Sequence, residues 1–111
     1  ENASVARLRE AVSAGKLGVA GLDDVLEALA EKRVDRLLVS DGFQAEGWQC
    51  PACQQLAAVG RDCRCGAEMT HVDDVVEHAV DDALVNSCAV DICVGNADLD
   101  VLGRIGATLR Y

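Results

Sequence analysis

Val34-Asp35-Arg36-Leu37-Leu38-Val39-Ser40 contains an unbroken apolar run, Leu37-Leu38-Val39, of the kind found where a strand is covered on both faces. Such a strand needs helices on either side, and the flanking sequence supplies them. Upstream, Ser4–Ser13 sets Val5, Leu8 and Val12 at i, i+3 and i+7, with Gly15 placed to stop the helix. Leu22–Lys32 puts Leu22, Val25, Leu26 and Leu29 on one face and Asp23 and Asp24 in its first turn, where the helix dipole favours acids. Downstream, Thr70 and Asp73 form a capping-box-like start to a helix whose stripe runs through Val72, Val75, Val76, Ala79, Val80, Ala83 and Leu84. Ala89–Val94 reads as a strand, Gly95-Asn96 as a turn, Asp98–Leu102 as a short helix and Ile105–Leu109 as a last strand. Strands alternating with helices predict an α/β fold, an α-β-α sandwich around a small mixed sheet.

An insertion follows the first main strand. Glu46–Cys50 and Gln55–Val59 are its short strands or loops, and Cys50-Pro51-Ala52-Cys53 with Cys63-Arg64-Cys65-Gly66 sets four thiols in two close pairs. Zinc takes four thiolates in a tetrahedron, and two tight turns face to face supply them with little chain between. Residues 46–69 are therefore expected to be an inserted zinc knuckle, with Cys50, Cys53, Cys63 and Cys65 as ligands. The second pair is C-x-C where most ribbons have C-x-x-C. A redox reading of Cys50 and Cys53 requires a helix N-terminus to stabilise the thiolate, and Gln54–Val59 offers no helical stripe. Cys88 and Cys93 lie in a strand-like segment and read as small buried hydrophobes. His71 could replace a weaker cysteine ligand and His78 could titrate near neutral pH, but exposed structural histidine is the simpler account of both.

The chain has 111 residues, half of them hydrophobic, and only Phe43, Trp48 and Tyr111 are aromatic, so the core must be built from Val, Leu, Ile and Ala. One domain is expected across 1–111. The opening residue is not Met, which suggests an excised fragment; with no leader and no long apolar run, a cytoplasmic location off the membrane is expected. Nineteen acids against ten bases give a net charge of −9, which repels a phosphate backbone and argues against DNA and RNA as partners. Trp48 is better explained by packing over the knuckle than by base stacking. No Ser/His/Asp trio and no Gly-rich phosphate loop is signposted, so no active site is expected on this stretch.

The order of these elements, and the ending Gly103-Arg104-Ile105-Gly106-Ala107-Thr108-Leu109-Arg110-Tyr111, resemble the third, C-terminal domain of archaeal and eukaryotic peptide chain release factors and of Pelota. That family tends to close this domain with a G-G-I-x-A-x-L-R-Y-like stretch; here Arg104 replaces a glycine. Archaeal members also resemble the chain in carrying a cysteine-bearing minidomain where Cys50, Cys53, Cys63 and Cys65 stand. Bacterial release-factor-like homologues, ribosome-rescue hydrolases, fit the pattern equally. The resemblance implies the fold of kink-turn-binding ribosomal proteins, adapted to hold a translational GTPase or the ribosome. It implies no catalysis here, because the family's peptidyl-tRNA hydrolysis uses a Gly-Gly-Gln-type loop of another domain, absent from this sequence. Arg104 and Arg110 are the candidate partner contacts, since guanidinium forks suit carboxylates, with local pairing to Asp98 or Asp100 as their alternative role. A retained kink-turn RNA-binding activity and a thiol redox protein are the competing functions.

The alternation of Ile105, Ala107 and Leu109 with Gly106, Thr108 and Arg110 carries its own test. Leu109→Ala should cost about 2–5 kcal/mol as a large-to-small core change. An unchanged denaturant midpoint would show that the segment is not a core strand.

Overall fold

The computed structural model describes residues 2–58 and 65–111. In chain order its elements are α1 (Asn2–Ser13), β1 (Gly18–Ala20), α2 (Leu22–Ala30), β2 (Val34–Ser40), β3 (Gly47–Gln49), β4 (Leu56–Ala57), β5 (Thr70–Val72), α3 (Val75–Val85), β6 (Ala89–Cys93), α4 (Ala97–Val101) and β7 (Ile105–Leu109). The larger sheet runs β1-β7-β2-β6, antiparallel at its first two junctions and parallel between β2 and β6. A mixed sheet covered on both sides results, as the run in β2 requires.

Alternation along β2 sorts its side chains between two cores. Leu37 and Val39 join Ile105, Ala107 and Leu109 beneath α2 and α3, where Val25, Leu26, Leu29, Val75, Val76, Ala79 and Ala83 are buried. Leu38 faces the other way and meets Val5 and Leu8 of α1, Cys93, and Leu99 of α4. Gly106 allows α1 to lie this close, because a Cβ there would stand 2.4 Å from Leu8 Cδ2. Cys88 and Cys93 are both buried, as read, and Cys88 donates to the Val34 carbonyl at 3.1 Å.

Two elements differ from the sequence reading. Thr70–Val72 is a strand rather than the first turn of α3, because Thr70 and His71 pair with Gln49 and Trp48 on β3. The cap is Asp74, whose carboxylate accepts from the Val76 amide at 3.1 Å. The three-residue β1 was not anticipated; its register with β7 is set by Val19 opposite Ala107, and no apolar alternation marks so short a strand.

Helix ends share one geometry. After α1, Gly15 and Lys16 donate to Val12 and Ala11 carbonyls; after α2, Lys32 and Arg33 donate to Leu29 and Ala28; after α3, Ser87 and Cys88 donate to Leu84 and Ala83. Each is the paired bonding of a Schellman stop, which needs one left-handed residue. Lys32 (φ 59°) and Ser87 (φ 62°) take that conformation with a Cβ, and Lys32 therefore ends α2 two residues before the expected boundary.

Two substitutions of opposite sign follow. Ser87→Gly should stabilise by about 0.5–1 kcal/mol, since left-handed backbone costs a Cβ-bearing residue about 1–2 kcal/mol and glycine's unfolded freedom offsets about half. Gly47→Ala should destabilise by about 1–3 kcal/mol, because the new Cβ would meet Val75 Cβ at 2.5 Å and the Ala57 carbonyl at 2.8 Å. Denaturant midpoints check both.

Candidate metal centre

The second sheet, β4-β3-β5, is where the cysteine insertion is built. Trp48 and Gln49 pair with Ala57 and Leu56 on one side and with His71 and Thr70 on the other. The β3–β4 connection is a tight turn that the Cys50 amide closes by donating to the Gln55 carbonyl at 2.9 Å, while Gln54 donates back to the Cys50 carbonyl at 2.9 Å. Alternation in β4 sends Leu56 into the main core and Ala57 into a small core with Cys50 and Met69, against which Trp48 and Ala67 pack. Trp48 thus packs over the knuckle, edge-on to His71 with ring centres 5.3 Å apart.

The insertion is fastened to the start of α3 by backbone and cap hydrogen bonds. Val75 donates its amide to the Ala45 carbonyl at 2.8 Å, and Asp74 accepts from the Ala45 amide at 3.4 Å as well as capping the helix. Gly47 has no side chain to hold the two apart. These residues carried a readable signal, an Asp just ahead of the Val75-Val76 stripe, which the Thr70–Asp73 pairing obscured.

Cys50, Cys53 and Cys65 are brought together, with all three sulfurs within 4.8 Å of one another. Cys50 is buried and the other two are exposed. Cys50 Sγ and Cys65 Sγ lie 3.4 Å apart, and the Cys53 amide donates to Cys50 Sγ at 3.4 Å. That amide is the chief influence pulling the Cys50 thiol from its ordinary 9.0 down to about 6; burial works against it, and contacts with the Cys65 thiol, the Ala52 amide and the Cys53 thiol add to the lowering. A thiol so placed is a thiolate at neutral pH. Sulfurs around a tetrahedral zinc stand about 3.8 Å apart, from Zn–S distances of about 2.3 Å, so this cluster fits such an ion, and Cys50, Cys53 and Cys65 would hold it. The fourth expected ligand, Cys63, lies outside the described residues.

Other candidates fall elsewhere. His71 stands 3.9 Å from carboxylate oxygens of both Glu46 and Asp73 and outside the sulfur cluster; His78 is exposed on α3. The helix that a redox Cys50–Cys53 pair would need is replaced by a turn between two strands. Arg104 is exposed, in left-handed backbone (φ 68°), and its carbonyl accepts from Ser40. The Arg110 guanidinium reaches the Val34 carbonyl at 2.9 Å and the Asn86 carbonyl at 3.2 Å. The alternative pairing of these arginines with Asp98 or Asp100 is not formed; Asp98 meets Arg9 at 3.4 Å and Asp100 accepts from Ser40 at 2.8 Å.

The arrangement is the fold of the C-terminal domain of peptide chain release factors and of Pelota. The chain is similar to the C-terminal domain of peptide chain release factor from Methanosarcina mazei, at 23% identity and TM-score 0.69 over 99% of this chain and 81% of that one. It is also similar to Archaeoglobus fulgidus Pelota (23% identity, TM-score 0.66, 99% of this chain) and to Thermoplasma acidophilum Pelota (17%, 0.59, 96%). It spans only 29% and 27% of those two Pelota chains. No protein-family model and no curated protein sequence matches it.

Protein purified without chelator should contain close to one zinc per chain by metal analysis, and Cys50→Ser should lose it while far-UV circular dichroism stays near native. Protons compete with metal for thiolates, so zinc held at pH 7 should be released only as the pH falls below the Cys50 value of about 6. A folded wild type that takes up no zinc at pH 7 would refute the assignment.

Proposed function

We propose that this chain is a non-catalytic docking domain of a release-factor-like translation termination or ribosome-rescue protein, and that it engages a translational GTPase or the ribosome in the cytoplasm. The observation that carries the reading is the match of fold along 99% of the chain to a release factor's C-terminal domain. The zinc knuckle, with Cys63 completing the ligand set, serves on this reading as a structural clip. It locks a small sheet with very little core of its own, much as metal folds other small modules.

The charge balance supports a protein partner. A net charge of −9 weakens attraction to phosphate. Among the described residues no helix is long and apolar enough to cross a membrane. Arg104 is the more accessible of the two proposed contacts, because the Arg110 guanidinium is occupied by the carbonyls of Val34 and Asn86. Any peptidyl-tRNA hydrolysis by a longer parent protein would belong to residues outside this chain.

With the domain as bait in source cytosol, a pull-down should enrich an elongation-factor-like GTPase or ribosomes over free RNA, and Arg104→Ala should reduce the recovery several-fold. Recovery of RNA alone, lost steeply as salt rises, would favour the kink-turn-binding alternative instead.

A further inference from the structure

Among the described residues, the order β1-β7-β2-β6 leaves two edges on the larger sheet. β1 is three residues long and α1 packs against it, which is how short edges are kept from pairing with other chains. β6 is different. Its five residues, Ala89–Cys93, carry no Pro, Gly or Lys and pair with β2 in unbroken register. The one charge on the strand, Asp91, is held at 2.9 Å by Arg36 of β2, so it does not guard the edge.

Backbone direction is set by one bond. The Cys93 carbonyl accepts from the Asp41 amide on the β2 side, so by the two-residue alternation of a strand the N–H and C=O groups of Val90 and Ile92 face away from the sheet. Ile92 is 47% exposed and Val94, two residues on, 69%. An open row of alternate backbone donors and acceptors, with apolar side chains at two-residue spacing, is the chemistry that recognises an extended chain.

We propose that the outer edge of β6 is a strand-addition site for an extended, basic segment of a partner protein. Charge selects this occupant over a second copy. Two-fold pairing of β6 would bring together two chains of net charge −9, whereas a lysine- or arginine-bearing strand is attracted to one. The edge is open to such a segment whatever GTPase or ribosome the domain serves, so failure of the pull-down above would leave it standing.

A fluorescein-labelled peptide of alternating lysine and valine, titrated into the 111-residue chain at physiological salt, tests it. Saturable anisotropy change is expected, with amide shifts by NMR concentrated at Val90 and Ile92. Ile92→Pro removes an outward N–H at an edge position where proline is tolerated and should weaken binding about tenfold or more. A peptide of identical side chains with every backbone nitrogen methylated, so that neither edge can pair, should not bind wild type. Equal binding of the methylated peptide, amide shifts confined to another face, or dimerisation of the free chain through these same amides would each overturn the proposal. The methylated control uses wild type, so the test survives failure of the Ile92→Pro variant to fold.

Discussion

Burial of β2 on both faces is the constraint from which the rest of the molecule follows. Leu37 and Val39 need one apolar cover and Leu38 another, so helices must lie above and below a single sheet. With only one phenylalanine and one tryptophan to fill space, the cover must approach closely. Gly106 lets α1 settle on β7, and Leu8 occupies the room a Cβ would have taken. The Schellman stops serve the same end, because each turns the chain back toward the sheet within two residues of leaving a helix. At α2 and α3 this is done with Lys32 and Ser87, and the conformational cost is accepted where the following residues, Arg33 and Cys88, must enter the structure at once.

The cysteine insertion has little apolar area of its own. Cys50, Ala57 and Met69 make its centre, with Trp48 and Ala67 packed against them. A core of that size cannot offset the entropy of ordering about twenty residues. Leu56 and Gly47 lend it the support of the main body, one by burying its side chain there and the other by letting β3 touch Val75. A metal held by the sulfur cluster would supply the remaining constraint. Three thiols lie within 4.8 Å of one another, one of them with a lowered pKa, and a divalent cation held there would stabilise its thiolate.

How much of this was legible in the sequence depends on period and length. β2, α2 and β7 were readable because their apolar residues recur over enough positions to separate a helix from a strand, and Cys50, Cys53 and Cys65 because thiol spacing is itself the signal. Thr70–Val72 was misread for a physical reason: Val72 falls in phase with the α3 stripe, while the tie that makes the segment a strand is its pairing with Gly47–Gln49, on the far side of the cysteine insertion. β1 had no signal to read, since its place comes from β7 at the far end of the chain. Lys32 and Ser87 as helix stops were likewise invisible, because only their bonds to the preceding turn reveal a left-handed residue that is not glycine. Arg110 read as a surface fork, yet its guanidinium ties the final strand to the Val34 and Asn86 carbonyls.

Charge and architecture together separate the parts of this surface. Acids on the outer faces of α2 and α3, including Asp23, Asp24, Glu27, Glu77 and Asp81, keep those helices solvated and repel polyanions. Three arginines hold internal contacts: Arg36 neutralises Asp91, Arg33 donates to the Tyr111 carbonyl, and Arg110 closes the C-terminal strand. Nineteen acids against ten bases leave the exterior field negative, and only three aromatic residues are available for stacking. A surface of this composition weakens attraction to nucleic acid, even though the fold itself says nothing about which chemistry it hosts. For the basic partner proposed above, specificity would come from shape and hydrogen bonding, which the β6 edge offers together among the described residues.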